Sequence, residues 1–188
     1  MNLIFVQDEV IEKSNELSKG EYDHCIFKGC NFTEYDFSNF NFVDCEFNSC
    51  DISLSKLNKT VIRNVKFVNC KMLGLRFDNC NEFGLEFSFD NCQLNHSSFY
   101  KLAIAKTIFK NSQLQDVDFS EADLTEAIFD NCNLVQAVFD RTILEKSDFR
   151  TAFHYVIDPE NNRLRKAKFS INGINGLLAK YDLEFELS

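Results

Sequence analysis

Cysteine and histidine are the residues of this chain best suited to metal binding or catalysis. The chain contains eight cysteines and three histidines. His24 stands beside Cys25 and close to Cys30, a spacing superficially similar to that of zinc ligands. Metal ligands must converge on one point, whereas these cysteines recur along the chain and would be spread along an axis. We therefore interpret all eight as small buried apolar residues with free thiols, and predict no metal site and no cofactor. They are Cys25, Cys30, Cys45, Cys50, Cys70, Cys80, Cys92 and Cys132.

The remaining polar residues do not form a catalytic pattern. His24, His96 and His154 are far apart and have no motif partners, and a pair such as Asp118 and Asp123 recurs with the repeat described below. The six glycines are dispersed, so there is no phosphate-binding loop. We predict that the protein has no catalytic residues and is not an enzyme.

Charge points instead to a binding surface, because the chain has a formal net charge of −9 that is unevenly distributed. Residues 53–77 contain six bases and no acid, whereas residues 111–140 contain seven acids and no Lys or Arg. We call the first set the basic band (Lys56, Lys59, Arg63, Lys66, Lys71 and Arg76). The second set is the acidic belt, a candidate partner-binding surface (Asp116, Asp118, Glu121, Asp123, Glu126, Asp130 and Asp140). The net sign disfavours direct nucleic-acid binding, and the simpler alternative is that the acids only keep the exterior soluble.

The elements that position these residues follow from a bulky apolar residue at every fifth position between residues 20 and 152. A period of five fits neither a helix nor a long strand, so the chain must bend once per five residues to return each such residue to one interior. The residue two positions earlier is mostly small and also faces inward, as neighbours on one side of an extended segment do. We call the bulky residue the core position.

The repeat resembles a known family. The units 122–126, 127–131 and 132–136, which read ADLTE, AIFDN and CNLVQ, look like pentapeptide repeats, and the resemblance covers about 130 residues. It implies an all-β fold, a right-handed quadrilateral β-helix over residues 20–155 with four pentapeptides per coil, so that positions twenty apart stack. One side of the core would then be a column of phenylalanines: Phe27, Phe47, Phe67, Phe89, Phe109, Phe129 and Phe149.

The repeat is interrupted once and ends in less regular segments. Two surplus residues fall between Phe77 and Phe89, and we expect Phe83 to fill the missing core position while residues 82–88 form a bulge or short loop. That insertion is either merely tolerated or a projection that contacts a partner. Residues 1–19 are expected to cap the first coil. Residues 156–188 are expected to cap the last, with a helix over 170–181 and a strand over 182–187.

The tail from residues 157–163, which read IDPENNR, through residues 176–178, which read GLL, resembles the C-terminal segments of the Qnr-type and microcin-immunity branch of the family. The resemblance implies a homodimer through this segment, for which the candidate dimer or cap residues are Leu177, Leu178, Tyr181, Leu183 and Phe185. It also implies a protein partner, a type II topoisomerase (gyrase or topoisomerase IV), protected from quinolones or toxins by imitation of DNA. The acids form a belt rather than the stripes that a DNA mimic should carry, so a generic protein–protein interaction scaffold remains the alternative.

Targeting signals are not evident in the sequence. No stretch approaches 18 apolar residues, so we expect no membrane span. The first eight residues have no positively charged region and soon turn acidic, which is atypical of a signal peptide. We therefore expect a cytoplasmic protein.

Overall fold

The chain winds into a solenoid of short parallel strands in the computed structural model, which describes residues 4–184. Each strand spans only three or four residues, because the backbone turns a corner every fifth residue. The strands are β1 (Ile4–Gln7), β2 (Val10–Glu12), β3 (Gly20–Asp23), β4 (Ile26–Lys28), β5 (Asn41–Val43), β6 (Glu46–Asn48), β7 (Val61–Arg63), β8 (Val65–Val68), β9 (Phe87–Asp90), β10 (Ile108–Lys110) and β11 (Ile128–Asp130).

Four series of parallel pairs run along the solenoid, one on each side. Two are sheets, with strand orders β1-β3-β5-β7 and β11-β10-β9-β8-β6-β4-β2, and the other two are rows of single bridges such as Asp51 with Lys71 and Ser98 with Asp118. Partners are twenty residues apart in most of the chain, as in the pairing of Phe27 with Phe47. The predicted all-β, four-sided solenoid is therefore confirmed.

Most corners adopt the left-handed backbone region two residues after the core position. Glu121, for example, has φ 58° and Asp44 has φ 52°. This conformation costs roughly 1–2 kcal/mol in a residue other than glycine. The corner N–H groups offset the cost by bonding the next coil, from Glu121 N to Asp140 O at 2.8 Å and from Asp44 N to Arg63 O at 2.9 Å. The corners thus tie successive coils together.

Two columns of phenylalanine fill the centre. Rings in the predicted column stack in parallel, for example Phe109 on Phe129 with centroids 5.0 Å apart, and they continue to Phe149. A second column contains Phe99 and Phe119, and its rings meet the first column edge to face, as Phe109 and Phe119 do at 5.7 Å and 80°. The sequence prediction of this core is confirmed by the burial of all seven residues of the first column.

The eight cysteines lie at the inward-facing position two residues before the core positions or at its irregular equivalent, and all are buried with free thiols. Six of the thiols also donate to a backbone carbonyl of the preceding coil, as Cys70 does to the carbonyl of Phe47 at 3.3 Å. Hydrogen bonding to Cys70 and burial raise the pKa of the Cys50 thiol. The prediction that the cysteines pack as buried residues is confirmed.

The insertion corrects one prediction, because Phe83 does not enter the core and is 77% exposed. Asn81 N and Glu86 N still bond carbonyls of the preceding coil, those of Thr60 and Ile62, so the surplus residues 82–85 must leave the wall between these two anchors. We call 82–85 the insertion loop. Leu85, only partly buried, packs against the core instead of Phe83. The irregularity closes by Phe87, where β9 begins, rather than at residue 88.

The N-terminal end forms a shortened coil of its own. β1 pairs with β3 and β2 pairs with β4 in parallel, with Ile4 opposite Gly20 and Val10 opposite Ile26. The offset is 16 residues (20 − 4 and 26 − 10), which explains why the segment looks aperiodic in a search at five and twenty. Residues 4–19 therefore continue the solenoid instead of forming a separate cap.

The C-terminal end differs from expectation in two respects. Coil pairing continues beyond residue 155, through the bridges of Ile143 with Arg163 and Asp148 with Lys168. The expected helix is present as three short pieces, two 3₁₀ turns (Ile171–Gly173 and Ala179–Tyr181) around α1 (Asn175–Leu178). The strand predicted over 182–187 is wrong for its described part, because residues 182–184 have no regular structure and Asp182 is left-handed. Phe185 lies outside the described residues.

Candidate partner-binding surface

The acidic belt encircles the solenoid within about one coil. Asp118 and Asp123 project outward from neighbouring sides, next to the core residues Phe119 and Leu124. Each holds its own turn, because the Oδ1 of Asp118 accepts from Ser120 N and that of Asp123 from Thr125 N, both at 2.9 Å. These two carboxylates have no ion-pair partner among the described residues.

The corner acids of the belt are neutralised by bases one coil away. Glu121 contacts Lys101 at 3.5 Å and Arg141 at 3.0 Å, one on each side along the axis. Glu126 contacts Lys146 at 2.8 Å, and this hydrogen bond lowers the pKa of the Glu126 carboxyl. Because positions twenty residues apart stack, opposite charges lie next to each other along the corners of the solenoid.

The remaining belt residues have polar neighbours of three kinds. Asp116 lies 3.6 Å from the ring of His96, and Asp130 accepts from the Thr151 hydroxyl at 2.9 Å. Asp140 pairs with Arg141 at 3.1 Å. The least compensated charge of the belt is therefore on Asp118, Asp123 and Asp130, which lie on different sides and do not form a row.

The basic band is less compensated than the corner acids. Lys71 pairs with Asp51 at 3.3 Å, and Arg76 makes a two-pronged contact with Asp78, at 3.0 Å and 2.6 Å. Lys59 and Lys66 have no ion pair within the described part of the chain. The rod therefore remains positively charged at the band and weakly negative at the belt.

The insertion loop presents an aromatic ring beside the basic band. The Arg63 guanidinium lies over the Phe83 ring, 5.5 Å from its centroid, and the Nε of Arg63 has no hydrogen-bond partner among residues 4–184. Gly84 has φ 68°, and a Cβ there would lie 3.2 Å from this Nε. Beside the loop is a groove of about 430 Å³ lined by Asn64, Leu85 and Lys106, among others. Exposed aromatic rings and arginines are enriched at protein interfaces.

The C-terminal segment closes the end of the core through Tyr155. Gly173 and Gly176 approach that residue so closely that a Cβ would lie 2.0 Å from its hydroxyl and 2.1 Å from its carbonyl oxygen, respectively. Lys180 fastens the segment by pairing with Asp158 at 2.7 Å and Glu160 at 2.6 Å, and these contacts lower the pKa of both carboxyls.

The candidate dimer residues are only partly used in this closure. Leu177 is half-buried and packs against the core, and Leu178 is half-buried, whereas Tyr181 and Leu183 are exposed by 48% and 54%. The same segment also exposes Ile174 by 41% and Ile171 by 83%. Four large apolar residues of this segment, Ile171, Ile174, Tyr181 and Leu183, are therefore exposed to solvent.

The three histidines lie at corners of the solenoid, in separate coils. His154 contacts Asn133, and His96 faces Asp116. His24 lies beside Asp23 and Asp44, a grouping that sequence reasoning missed because the two corner residues are twenty positions apart. Among residues 4–184, no helix is both long enough and apolar enough to cross a bilayer.

A parallel four-sided solenoid with five-residue sides defines the class of protein. The family model described as "Pentapeptide repeat region" matches residues 40–119 and 86–153, together more than half of the chain. The chain therefore belongs to the pentapeptide repeat family.

Solved structures share the fold at low sequence identity. The chain is similar to QnrB1, a plasmid-mediated fluoroquinolone resistance protein: a trypsin-treated variant matches at TM-score 0.64 and 14% identity over 98% of both chains. The full-length form of QnrB1 matches at the same TM-score and identity, over 96% of this chain and 98% of that one. HetL, involved in heterocyst differentiation regulation in the cyanobacterium Nostoc sp. strain PCC 7120, matches at TM-score 0.39 and 13% identity, over 88% and 84% of the two chains. No curated protein matches the chain.

Proposed function

We propose that this protein is a non-catalytic binding protein whose partner is a type II topoisomerase, gyrase or topoisomerase IV, and that it protects this enzyme from a quinolone or a toxin. The observation that carries the proposal is the similarity to QnrB1, a fluoroquinolone resistance protein, over 98% of both chains. The likeness at 14% identity concerns the fold, so the surface must supply the rest of the argument.

The surface suggests where such a partner would bind. Phe83 is the most exposed large apolar residue on the wall of the rod, and it stands beside the uncompensated cations of the basic band. Exposed aromatic and arginine residues are the types that most often dominate protein interfaces. We assign the insertion loop and Arg63 to the partner contact, with the uncompensated acids of the belt as a second contact.

Imitation of DNA is the weaker part of the proposal. A DNA mimic needs rows of negative charge, whereas the belt's corner acids Glu121 and Glu126 are paired with bases on neighbouring coils. The charge left on Asp118, Asp123 and Asp130 would act by steering and positioning more than by replacing a phosphate row.

A second copy of the chain is the other expected partner. The apolar surface formed by Ile171, Tyr181 and Leu183 at the end of the rod fits a homodimer interface. Light scattering at micromolar concentration should give twice the chain mass, and Ile171→Ser should shift the protein toward the monomer. A monomer at all concentrations would remove the dimer from the proposal without affecting the topoisomerase contact.

The direct test is a gyrase supercoiling assay at an inhibitory fluoroquinolone concentration, with and without the protein. We expect micromolar protein to restore supercoiling, Phe83→Ala to lose most of the effect, and Asp118→Asn with Asp123→Asn to weaken it. The asparagines keep the acceptor oxygens that hold the Ser120 and Thr125 turns, so they change charge without changing the fold. Phe5→Ala is the matched control for Phe83→Ala, because Phe5 is an exposed phenylalanine (61%) in β1, at the N-terminal end of the rod and away from the insertion loop. No rescue and no inhibition, with topoisomerase IV as well as gyrase, would contradict the proposal.

The alternative function is an interaction scaffold for a different protein. The observation in its favour is the charge pairing between coils, which removes the acidic row that a DNA-like ligand would require. In that case Phe83→Ala would still abolish binding to the true partner, whereas the protein would have no effect on topoisomerase activity.

A further inference from the structure

We propose that Asp23, His24 and Asp44 form a binding site for a divalent transition metal ion, with Zn²⁺ as the preferred ion. One ligand atom from each residue, a ring nitrogen of the imidazole and an oxygen of each carboxylate, lies within 4.8 Å of the others. This site is separate from the insertion loop, the acidic belt and the C-terminal segment.

The fold brings these residues together from two coils. His24 and Asp44 are both corner residues, with φ 52° each, and they stack because positions twenty apart stack throughout the solenoid. The backbone fixes this stacking, since His24 N donates to Val43 O at 3.0 Å. Asp23, the last residue of β3, adds the third group from beside the corner, and its Oδ1 lies 2.7 Å from His24 Nδ1.

The donor set suits zinc chemically. Imidazole nitrogen together with carboxylate oxygen is a combination that Zn²⁺ accepts in four-coordinate sites, with bond lengths of about 2.0–2.2 Å. Tetrahedral ligands at such distances are about 3.4 Å apart, so the three groups need only small side-chain rotations to close around an ion. The side chain of His24 is 57% exposed and that of Asp23 is 23% exposed, which leaves the rotations free and gives an ion access from water.

A neighbouring residue orients one of the candidate ligands. Asn64, the next residue in the same corner column, donates its amide to Asp44 Oδ1 at 2.6 Å and thereby orients that carboxylate. Two carboxylates beside one imidazole leave the corner short of positive charge, and a dication supplies that charge. The other corner pair of this type, His96 with Asp116 at 3.6 Å, has one carboxylate instead of two and serves as an internal comparison.

A bound ion would cross-link the first full coil to the next, because Asp23 and His24 belong to one coil and Asp44 belongs to the other. We therefore expect Zn²⁺ to raise the thermal unfolding temperature of the full-length protein.

The test is isothermal titration of the full-length reduced protein with ZnCl₂, paired with thermal unfolding. The variants are His24→Asn and Asp44→Asn, with His96→Asn as the matched control. Asparagine is chosen because it tolerates the left-handed corner conformation, so the variants should keep their fold. We expect about one equivalent bound, an affinity loss of at least about tenfold in each of the first two variants, and a change of less than about twofold in the control.

Two results would overturn the proposal. The first is an absence of saturable binding at about 0.1 mM Zn²⁺, or binding that survives His24→Asn unchanged. The second comes from Co²⁺ as a spectroscopic probe, because an intense thiolate-to-metal absorption band would place the ion at the cysteines. A spectrum without that band, together with loss of binding in the two variants, supports the site at the corner.

Discussion

Replacing Phe109 with alanine would test the arrangement of the core most sharply, because this ring is fully buried between four others. It stacks on Phe89 at 5.2 Å and on Phe129 at 5.0 Å, and it meets Phe99 and Phe119 edge to face at 5.8 Å and 5.7 Å. Loss of a buried phenylalanine costs about 3–5 kcal/mol, with the upper end expected where surrounding rings cannot collapse into the void. Both columns continue above and below the site, so we expect little relaxation and a cost near the upper end.

The neighbouring residue supplies the control. Ile108 lies in the same strand, points outward and is 44% exposed, so Ile108→Ala removes apolar atoms without opening an interior void. We expect it to cost at most about 1 kcal/mol. For a chain of this length about 1 kcal/mol corresponds to roughly 2–4 °C, so Phe109→Ala should lower the melting temperature by roughly 6–20 °C and Ile108→Ala by no more than about 4 °C.

The assay is thermal and urea unfolding followed by circular dichroism, with both variants measured in parallel under reducing conditions. Equal shifts for Phe109→Ala and Ile108→Ala would refute the inward and outward assignment along β10. A large shift for Ile108→Ala alone would imply a one-residue slip of that strand.

Three further outcomes follow from the interior. Burial raises the pKa of the Cys45 thiol to about 12, so the native thiols should react far more slowly with a thiol reagent at pH 8 than the same eight after unfolding, and fast labelling of the native protein would contradict this. Because the pKa of this thiol is higher in the folded than in the unfolded state, the stability of the protein should also fall as the pH rises from about 9 toward 12. Asn162 is buried and bonds Thr142 N at 2.8 Å and two carbonyls, so Asn162→Ala should cost about 1–3 kcal/mol in urea unfolding, and an unchanged midpoint would argue against the closure at this end. Tyr155 has a buried hydroxyl without a hydrogen-bond partner among the described residues, so Tyr155→Phe should not destabilise the protein. Tyr22→Phe, by contrast, loses a hydrogen bond to Ser18 O at 2.7 Å and should cost about 0.5–1.5 kcal/mol, and a larger cost for Tyr155→Phe than for Tyr22→Phe would contradict the structure.

Periodicity was sufficient for the interior because a five-residue repeat admits one way of returning each large side chain to the axis. The alignment of Phe27 to Phe149 in one column also required the four-sided cross-section, which the resemblance to the family implied and the period alone does not give. Periodicity was not sufficient at the insertion, because once residues leave the repeat their direction depends on where the backbone is anchored. Phe83 turns outward since Asn81 and Glu86 remain bonded to the preceding coil and the residues between them must project.

The surface was harder to predict than the core, since its neighbours are twenty residues apart. The belt acids were visible as a run, but the bases that neutralise Glu121 and Glu126 lie outside that run, at Lys101, Arg141 and Lys146. The same separation hid the approach of His24 to Asp44. A search for opposite charges or ligands at an offset of twenty would have found both features.

The most direct test of the functional account is a binding measurement between the purified protein and purified gyrase or topoisomerase IV, by surface plasmon resonance with competing duplex DNA. The account predicts saturable binding at micromolar concentration or below, at least about tenfold weaker binding for Phe83→Ala, and unchanged binding for Phe5→Ala. Displacement by duplex DNA would place the contact at the DNA-binding surface of the enzyme. An absence of binding to both enzymes by the folded protein would contradict the account.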